Sequence, residues 1–138
     1  MNIPAPTSSV DSVFSRYPEE QAACLRALRK VIVEVAEEEG VAPLDVSLKW
    51  GQPSFCPAKN AGTAIRIDKD EAFGGHFALY VNCRTTLVSG WRARFEDFTF
   101  GGNRSVHFTT VAELGRPEVK MMIAEALTYR RNKRRQPS

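Results

Sequence analysis

The stretch YPEEQAACLRALRKVIVEVAEEEG, residues 17–40, decides the fold class because it encodes one long helix. Pro18 suits the first turn of a helix, and the carboxylates of Glu19 and Glu20 lie beside the positive end of the helix dipole. Gly40 is typical of a helix terminator. Apolar residues recur three or four positions apart, which predicts an amphipathic helix with one core-facing stripe: Ala22, Leu25, Leu28, Ile32 and Val35.

After this helix the apolar period changes from 3.6 residues to 2, which is typical of half-buried strands. Four segments alternate in this way: Val46–Trp50, Thr63–Asp68, Phe77–Cys83 and Arg104–Phe108. We expect Val46, Leu48 and Trp50 of the first segment, and Cys83 of the third, on the buried face. Turn-forming residues predict the connections: Gln52-Pro53-Ser54, Lys59-Asn60-Ala61-Gly62, Gly74-Gly75 and Gly101-Gly102-Asn103.

Three further helices are predicted outside the alternating segments. The first covers about residues 10–16. The second follows a cap at Thr85 or Thr86 and carries Leu87, Trp91 and Phe95 at steps of four. The last begins at Pro117 and carries its own apolar stripe: Val119, Met122, Ile123 and Ala126. Strands clustered between terminal helices imply one compact α+β domain, with an antiparallel sheet and the helices packed on one of its faces.

The length of 138 residues suits a single domain with a substantial core. Hydrophobic residues make up 43% of the chain and charged residues 25%, a composition that excludes wholesale disorder. The net charge of +3 is uneven, because the last nine residues hold five basic side chains and no acid; without those charges the remainder carries −2. We therefore divide the chain into a flexible leader at 1–9, a domain at 10–131 and a basic tail at 132–138.

Three features predict a cytoplasmic protein. No stretch approaches the roughly 18 apolar residues of a membrane helix, so we expect no membrane partner. Residues 1–9 lack the basic and apolar regions of a signal peptide. The three cysteines are odd in number and widely spaced, which favours reduced thiols over a disulfide framework.

Catalytic signatures are missing from the sequence, which lacks a Walker loop, a G-x-S-x-G elbow and an H-E-x-x-H motif. A nucleophilic pair could still join Cys56 or Cys83 to His76 or His107, since sequence does not show proximity. Cys83 fits a buried strand face, so Cys56 is the more reactive candidate of the two. We predict no catalytic residue and favour a non-enzymatic protein.

Carboxylates form two groups of the kind that hard cations prefer. One group lies near the end of the long helix and the other follows the second alternating segment: Glu34, Glu37 and Glu38, then Asp68, Asp70 and Glu71. Glu34 and Glu38 lie one helical turn apart on one face. The alternative interpretation is a solvated acidic surface that keeps the domain soluble.

The stretch KWGQPSF, residues 49–55, is the most unusual local sequence in the chain. Together with polar residues on outward strand positions and beside turns, it could line a recess that binds a small anion. The candidate ligand-binding residues are Trp50, Gln52, Arg66, Tyr80, Asn82, Arg92, Asn103 and Arg104. In the alternative interpretation, Trp50, Phe55 and Trp91 close the core, and the arginines pair with acids.

The basic residues within 130–135 could bind phosphates of a nucleic acid. However, Tyr129, directly before them, is the sole aromatic residue beside them, and the remainder of the chain is acidic. Cations placed at the negative pole of a helix dipole explain the tail equally well. A nucleic-acid partner is therefore disfavoured.

An ordered set of segments resembles the YdhG-like family, known as domain of unknown function 1801, over about residues 10–131. The segments are Pro18-Glu19-Glu20, residues 49–55, Ile65-Arg66-Ile67, residues 78–83, residues 91–95, Gly102-Asn103-Arg104 and residues 126–129. The resemblance implies an α+β fold related to frataxin and, from one branch of the family, an intracellular iron chaperone. Iron would then bind the two carboxylate groups. Relatives commonly carry a histidine after the Ala-Leu-Thr-Tyr segment, where this chain has Arg130, so any role of that histidine is missing.

Two functional hypotheses follow from the sequence. The leading one is a cytosolic, non-enzymatic binding domain of the YdhG-like family that binds or delivers iron. The alternative is a pocket protein, enzymatic or not, that binds a small anionic ligand through Arg66, Arg92 and Arg104.

Overall fold

The stripe of residues 17–40 forms helix α1, Glu19–Glu38, in the computed structural model, which describes residues 12–70 and 76–135. Every residue of the predicted stripe is buried: Ala22, Leu25, Leu28, Ile32 and Val35. Gly40 follows the helix with a φ of 73°, the left-handed conformation that ends a helix at low cost. Residues 12–15 are helical, as predicted for that part of the chain.

Six strands of the described residues form one antiparallel sheet. They are β1 (Asp45–Lys49), β2 (Gln52–Cys56), β3 (Ile65–Lys69), β4 (Phe77–Tyr80), β5 (Thr99–Gly101) and β6 (Ser105–Phe108). Their order across the sheet is β1-β2-β3-β4-β6-β5, and every neighbouring pair is antiparallel. Strands β1 and β5 are therefore the two edges.

The remaining helices are α2 (Leu87–Arg94), α3 (Pro117–Leu127) and α4 (Tyr129–Arg135), with short 3-10 turns at Ala58–Asn60 and Val111–Gly115. Helix α1 contacts α3, β3 and β4, while α3 also contacts α2. The strands meet these helices through buried apolar side chains that share one face: Phe55, Ile65, Ile67, Phe77, Leu79, Val106 and Phe108. The α+β prediction, with an antiparallel sheet and helices packed on one face, is confirmed.

The β1–β2 hairpin differs from the sequence prediction. The chain turns at Trp50 and Gly51, whose φ angles of 56° and 79° match a two-residue type I′ turn. The stretch predicted as a turn, Gln52-Pro53-Ser54, begins strand β2 instead. Trp50 is 90% exposed and Leu48 42% exposed, so their predicted burial is wrong. The physical reason is that β1 is an edge strand, where alternation does not ensure a covered face.

The third alternating segment is shorter than predicted. Strand β4 ends at Tyr80, and the chain then turns at residues 83–84, where the Arg84 amide donates to Asn82 Oδ1 over 2.9 Å. Cys83 is therefore exposed, which corrects its predicted place on the buried face. Strand β5 was not predicted, because three residues are too short to show a period. Trp91 and Phe55 are buried in the core, as one interpretation of the aromatic residues expected.

Helices α3 and α4 are tied to the connection between β2 and β3. The Thr63 amide donates to the Ala126 carbonyl over 2.9 Å, and the Arg131 amide donates to the Ala61 carbonyl over 2.7 Å. Gly62 lies against the backbone of Ala126 and Leu127, so a Cβ at this position would collide with main-chain atoms that cannot move aside. Arg131, at the predicted end of the domain, is thus bonded to the packed core, and α4 continues beyond it to Arg135.

Candidate functional site

The sheet face opposite the helices, here called the polar face, carries a row of hydrophilic side chains. Strand register places Ser54, Arg66, Tyr80 and Ser105 directly opposite one another on β2, β3, β4 and β6. Because directly opposed residues point to the same side of a sheet, these four side chains form a continuous line across it. The strand alternation that places the apolar side chains against the helices therefore places these polar side chains together on the other face.

A pocket of about 330 Å³ opens at one end of this row and is here called the cationic pocket. Its lining comes from the β1–β2 hairpin, from β3, and from the segments that follow β4 and precede β6: Lys49, Trp50, Ser54, Thr63, Ala64, Arg66, Val81, Asn82, Cys83 and Arg104. Among these described lining residues, three side chains are cationic and none is a carboxylate. The pocket is therefore a region of concentrated positive charge.

The three cations of the pocket have no acidic partner among residues 12–70 and 76–135. Lys49 and Arg104 make no side-chain ion pair with any described carboxylate, and Arg66 lies with its guanidinium carbon 6.0 Å from the centre of the Tyr80 ring. The charge in the pocket is thus available to a ligand.

Tyr80 reports the electrostatics of this region through its hydroxyl group. Burial raises the pKa of Tyr80 above its ordinary value, and the nearby carboxylates of Asp68 and Asp70 raise it further. Arg66 and Arg104 act in the opposite direction and lower that pKa. Both arginines are therefore close enough to influence one phenol, which remains a protonated hydrogen-bond donor at neutral pH.

The structure brings together part of the ligand-binding set predicted from sequence. Trp50, Arg66, Asn82 and Arg104 line the cationic pocket, and Tyr80 contacts it through Arg66. The other three do not line the pocket. Gln52 donates to Asp68 Oδ2 over 2.8 Å, and Asn103 lies in an exposed turn. Arg92 donates to the Gly102 carbonyl over 2.7 Å and lies over the Phe100 ring. Arg92 therefore does not converge with Arg66 and Arg104.

Lys49 is the cationic lining residue that sequence reasoning missed. It alternates with Leu48 and Trp50, so its outward direction was readable from the same pattern. Ser54 and Thr63 were missed because the stretches that carry them were interpreted as a turn and as the beginning of a strand.

The predicted iron-binding carboxylates are dispersed. Glu34, Glu37 and Glu38 are exposed near the end of α1, where Glu38 pairs with Lys120 over 3.2 Å. Asp68 accepts hydrogen bonds from the Tyr17 hydroxyl and from Gln52, and Asp70 pairs with His107, whereas Glu71 lies outside the described residues. Within the described ranges no group of three or more His, Cys, Asp or Glu side chains is placed to hold a metal ion.

A buried chain of hydrogen bonds joins Asp70, His107 and Ser105. Asp70 Oδ2 lies 2.8 Å from His107 Nδ1, and His107 Nε2 lies 2.7 Å from Ser105 Oγ. This is the order of acid, base and nucleophile in serine hydrolases. However, all three residues are buried, Ser105 Oγ also lies 3.2 Å from the Gly101 carbonyl, and none of the three lines the cationic pocket. This series of hydrogen bonds links the end of β3 to β6 across β4.

None of the helices in the described residues is both long enough and apolar enough to cross a membrane. Comparison of the chain with models of protein families, with curated proteins and with solved structures finds no match. The function is therefore argued from the geometry of the cationic pocket.

Proposed function

We propose that this chain binds a small anion, carrying a phosphate or carboxylate group, in the cationic pocket. The observation that carries the proposal is the convergence of Lys49, Arg66 and Arg104 on one concavity, with no described carboxylate in an ion pair with any of the three. Lys49 and Arg104 are exposed and Arg66 is half-buried, so water solvates these cations and no described carboxylate pairs with them as a counter-charge. An anion supplies that counter-charge.

The lining residues would contact different parts of the ligand. The planar guanidinium groups of Arg66 and Arg104 suit the oxygen pairs of phosphate and carboxylate, while Lys49 adds a mobile point charge. The Asn82 side chain adds an amide donor. Trp50 is almost fully exposed beside the pocket, where its indole can stack on a planar group attached to the anion. The proposed class is a small anion with an aromatic or apolar body.

This proposal takes up the anion-binding hypothesis rather than iron delivery. The acids that iron would need are exposed singly or hold separate partners, so the geometry favours the cationic site over a metal site. Membership of the YdhG-like family and the relation to frataxin remain predictions from the sequence. We propose binding and no reaction.

Calorimetric titration tests the proposal with inorganic phosphate and adenosine monophosphate as probes, in a buffer free of other multivalent anions. We expect saturable binding of both, weaker at higher salt because exposed charges are screened. Arg66→Gln or Arg104→Gln should each weaken binding about tenfold to hundredfold, the loss of one charge-assisted hydrogen bond. Arg26→Gln is the matched control, because Arg26 lies on α1 and does not line the pocket.

Trp50→Ala separates recognition of the anion from recognition of its body. It should remove the preference for adenosine monophosphate over inorganic phosphate and leave phosphate binding within about twofold. If neither probe binds, or if Arg26→Gln weakens binding as much as Arg66→Gln, the proposed function is wrong.

A further inference from the structure

Strand β1 is an exposed sheet edge. Its five residues are exposed or half-buried, and within the described part of the chain no strand pairs with its outer side. The opposite edge is β5, which has three residues. Short or covered edges resist pairing, whereas a longer open edge is a template for another strand.

The hairpin geometry shows which backbone groups of β1 point outward. In a two-residue hairpin the residues flanking the turn, Lys49 and Gln52, exchange hydrogen bonds, and hydrogen-bonded pairs then alternate with non-bonded pairs along the strands. Leu48 is thus in a non-bonded pair with Pro53, which agrees with the missing N–H of proline. The N–H and C=O groups of Val46 and Leu48 therefore point away from β2.

The sequence of β1, Asp-Val-Ser-Leu-Lys, is complementary to itself when reversed. We propose that β1 pairs with β1 of a second copy of this chain, in an antiparallel register centred on Ser47. Val46 of one copy then faces Leu48 of the other, so the outward N–H and C=O groups of both residues are satisfied. Asp45 of each copy stands opposite Lys49 of the other, and opposite charges in facing positions stabilise a strand pair.

The same register covers exposed apolar surface. On the helix side of β1 lies a groove of about 400 Å³ whose lining includes Val33, Leu44 and Val46, here called the apolar groove. Val33 is 40% exposed and Leu48 42% exposed. Facing residues point to the same side of a sheet, so Leu48 of the second copy lies beside Val46 at this groove. The result is one continuous sheet with both sets of helices on the same side.

Analytical ultracentrifugation across a range of protein concentrations tests the pairing. The average mass should rise with concentration from the 15.4 kDa of one chain toward twice that value. Leu48→Pro removes one outward N–H while leaving the bonds between β1 and β2, since proline is tolerated on the outer side of an edge strand. It should hold the mass at that of a single chain, and thermal unfolding followed by circular dichroism should show that the variant is folded.

Charge exchange tests the register. Asp45→Lys and Lys49→Asp each place like charges opposite each other twice, so each variant alone should dimerise at least tenfold more weakly. An equimolar mixture of the two variants restores both opposite-charge pairs and should regain the dimer, as should the double variant Asp45→Lys/Lys49→Asp. Lys49 also lines the cationic pocket, so these measurements use a buffer free of phosphate and other multivalent anions.

The outcomes are distinct. If the mass stays at that of one chain at every concentration, the proposal is overturned. The open edge of β1 would then be available only to a strand of another protein. A dimer that tolerates Leu48→Pro, or whose single charge variants do not recover on mixing, overturns this interface even though a dimer exists. Arg66 and Arg104 of the cationic pocket take no part in this interface, so failure of phosphate to bind does not overturn the pairing.

Discussion

The side chains of Asp70, His107 and Ser105 show how a polar chain is accommodated inside this domain. His107 lies between a carboxylate and a hydroxyl, so each of its ring nitrogens has a partner within 2.8 Å. Polar groups in the interior are stable when they are paired, and removal of one partner exposes the other to an environment that does not solvate it. Ala78, which faces His107 in the register, leaves room for this contact above β4.

Replacement of Asp70 by alanine should lower the free energy of unfolding by about 3 kcal/mol, because His107 loses its buried partner. Urea unfolding followed by circular dichroism measures the change. Asp97→Ala is the control, since Asp97 pairs with Arg116 on the exposed surface, where ion pairs contribute little. Equal losses in the two variants would contradict a structural role for the buried chain.

Single residues were predictable from sequence where strand alternation set their direction. Arg66 follows this rule: alternation with Ile65 and Ile67 placed it on the polar face, where it lines the pocket. Arg92 does not, because the direction of a residue on a short helix depends on how the helix docks. Contacts such as Asp70 to His107 join residues far apart in the chain, and no local pattern encodes them.

At the scale of elements, the β1–β2 hairpin combines an ordinary turn with an unusual residue. A type I′ turn requires positive φ at both central positions, for which Asn-Gly is the favoured sequence. Here the first position is Trp50, whose φ of 56° places a bulky residue in the left-handed region. That conformation costs about 1–2 kcal/mol for a residue with a Cβ atom. This strained turn places the exposed indole of Trp50 beside the cationic pocket.

Trp50→Asn should therefore raise the free energy of unfolding by about 1 kcal/mol, because asparagine adopts positive φ more easily. The same variant should lose the preference for adenosine monophosphate described above. Thermal unfolding and calorimetric titration measure the two effects. A variant that is less stable than the original chain would show that Trp50 contributes packing rather than strain.

Helix α1 and strands β3, β4 and β6 were predictable because their apolar periods are complete and their buried faces are covered. The hairpin was predicted in part: Pro53 indicated a turn, yet in the fold it occupies a strand position that needs no N–H. The apolar residues of β1 indicated burial, yet an edge strand has a neighbour on one side alone. Periodicity reports a residue's direction, and the final sheet order decides what covers it.

At the scale of the whole molecule, opposite charges from distant parts of the chain meet at the end of α1. The acids at that end are unfavourable to the helix dipole, but Lys120 of α3 pairs with Glu38 and Arg131 of α4 pairs with Glu39. Arg131 also donates to the Glu39 carbonyl over 2.9 Å, which satisfies a main-chain group that the helix leaves unpaired. Arg131, directly before the basic tail, thus stabilises the C-terminal end of α1.

Arg131→Met, which keeps most of the apolar stem, should lower the free energy of unfolding by about 2 kcal/mol through loss of these bonds to Glu39. Chemical unfolding measures the difference. Lys30→Met provides the control, because Lys30 is an exposed cation on α1. A comparable loss in both variants would show that net charge, and not the contact with Glu39, determines the effect.

The close approach of Gly62 to α3 also bears on how the protein is made. The backbone of Ala126 and Leu127 covers Gly62, and α3 supplies a wall of the core in which α1 is buried. During synthesis, the apolar stripe of α1 therefore emerges long before the helix that covers it. We expect the nascent chain to expose that stripe until residue 127 has left the ribosome, so the core closes late and the unfinished chain is a substrate for chaperones.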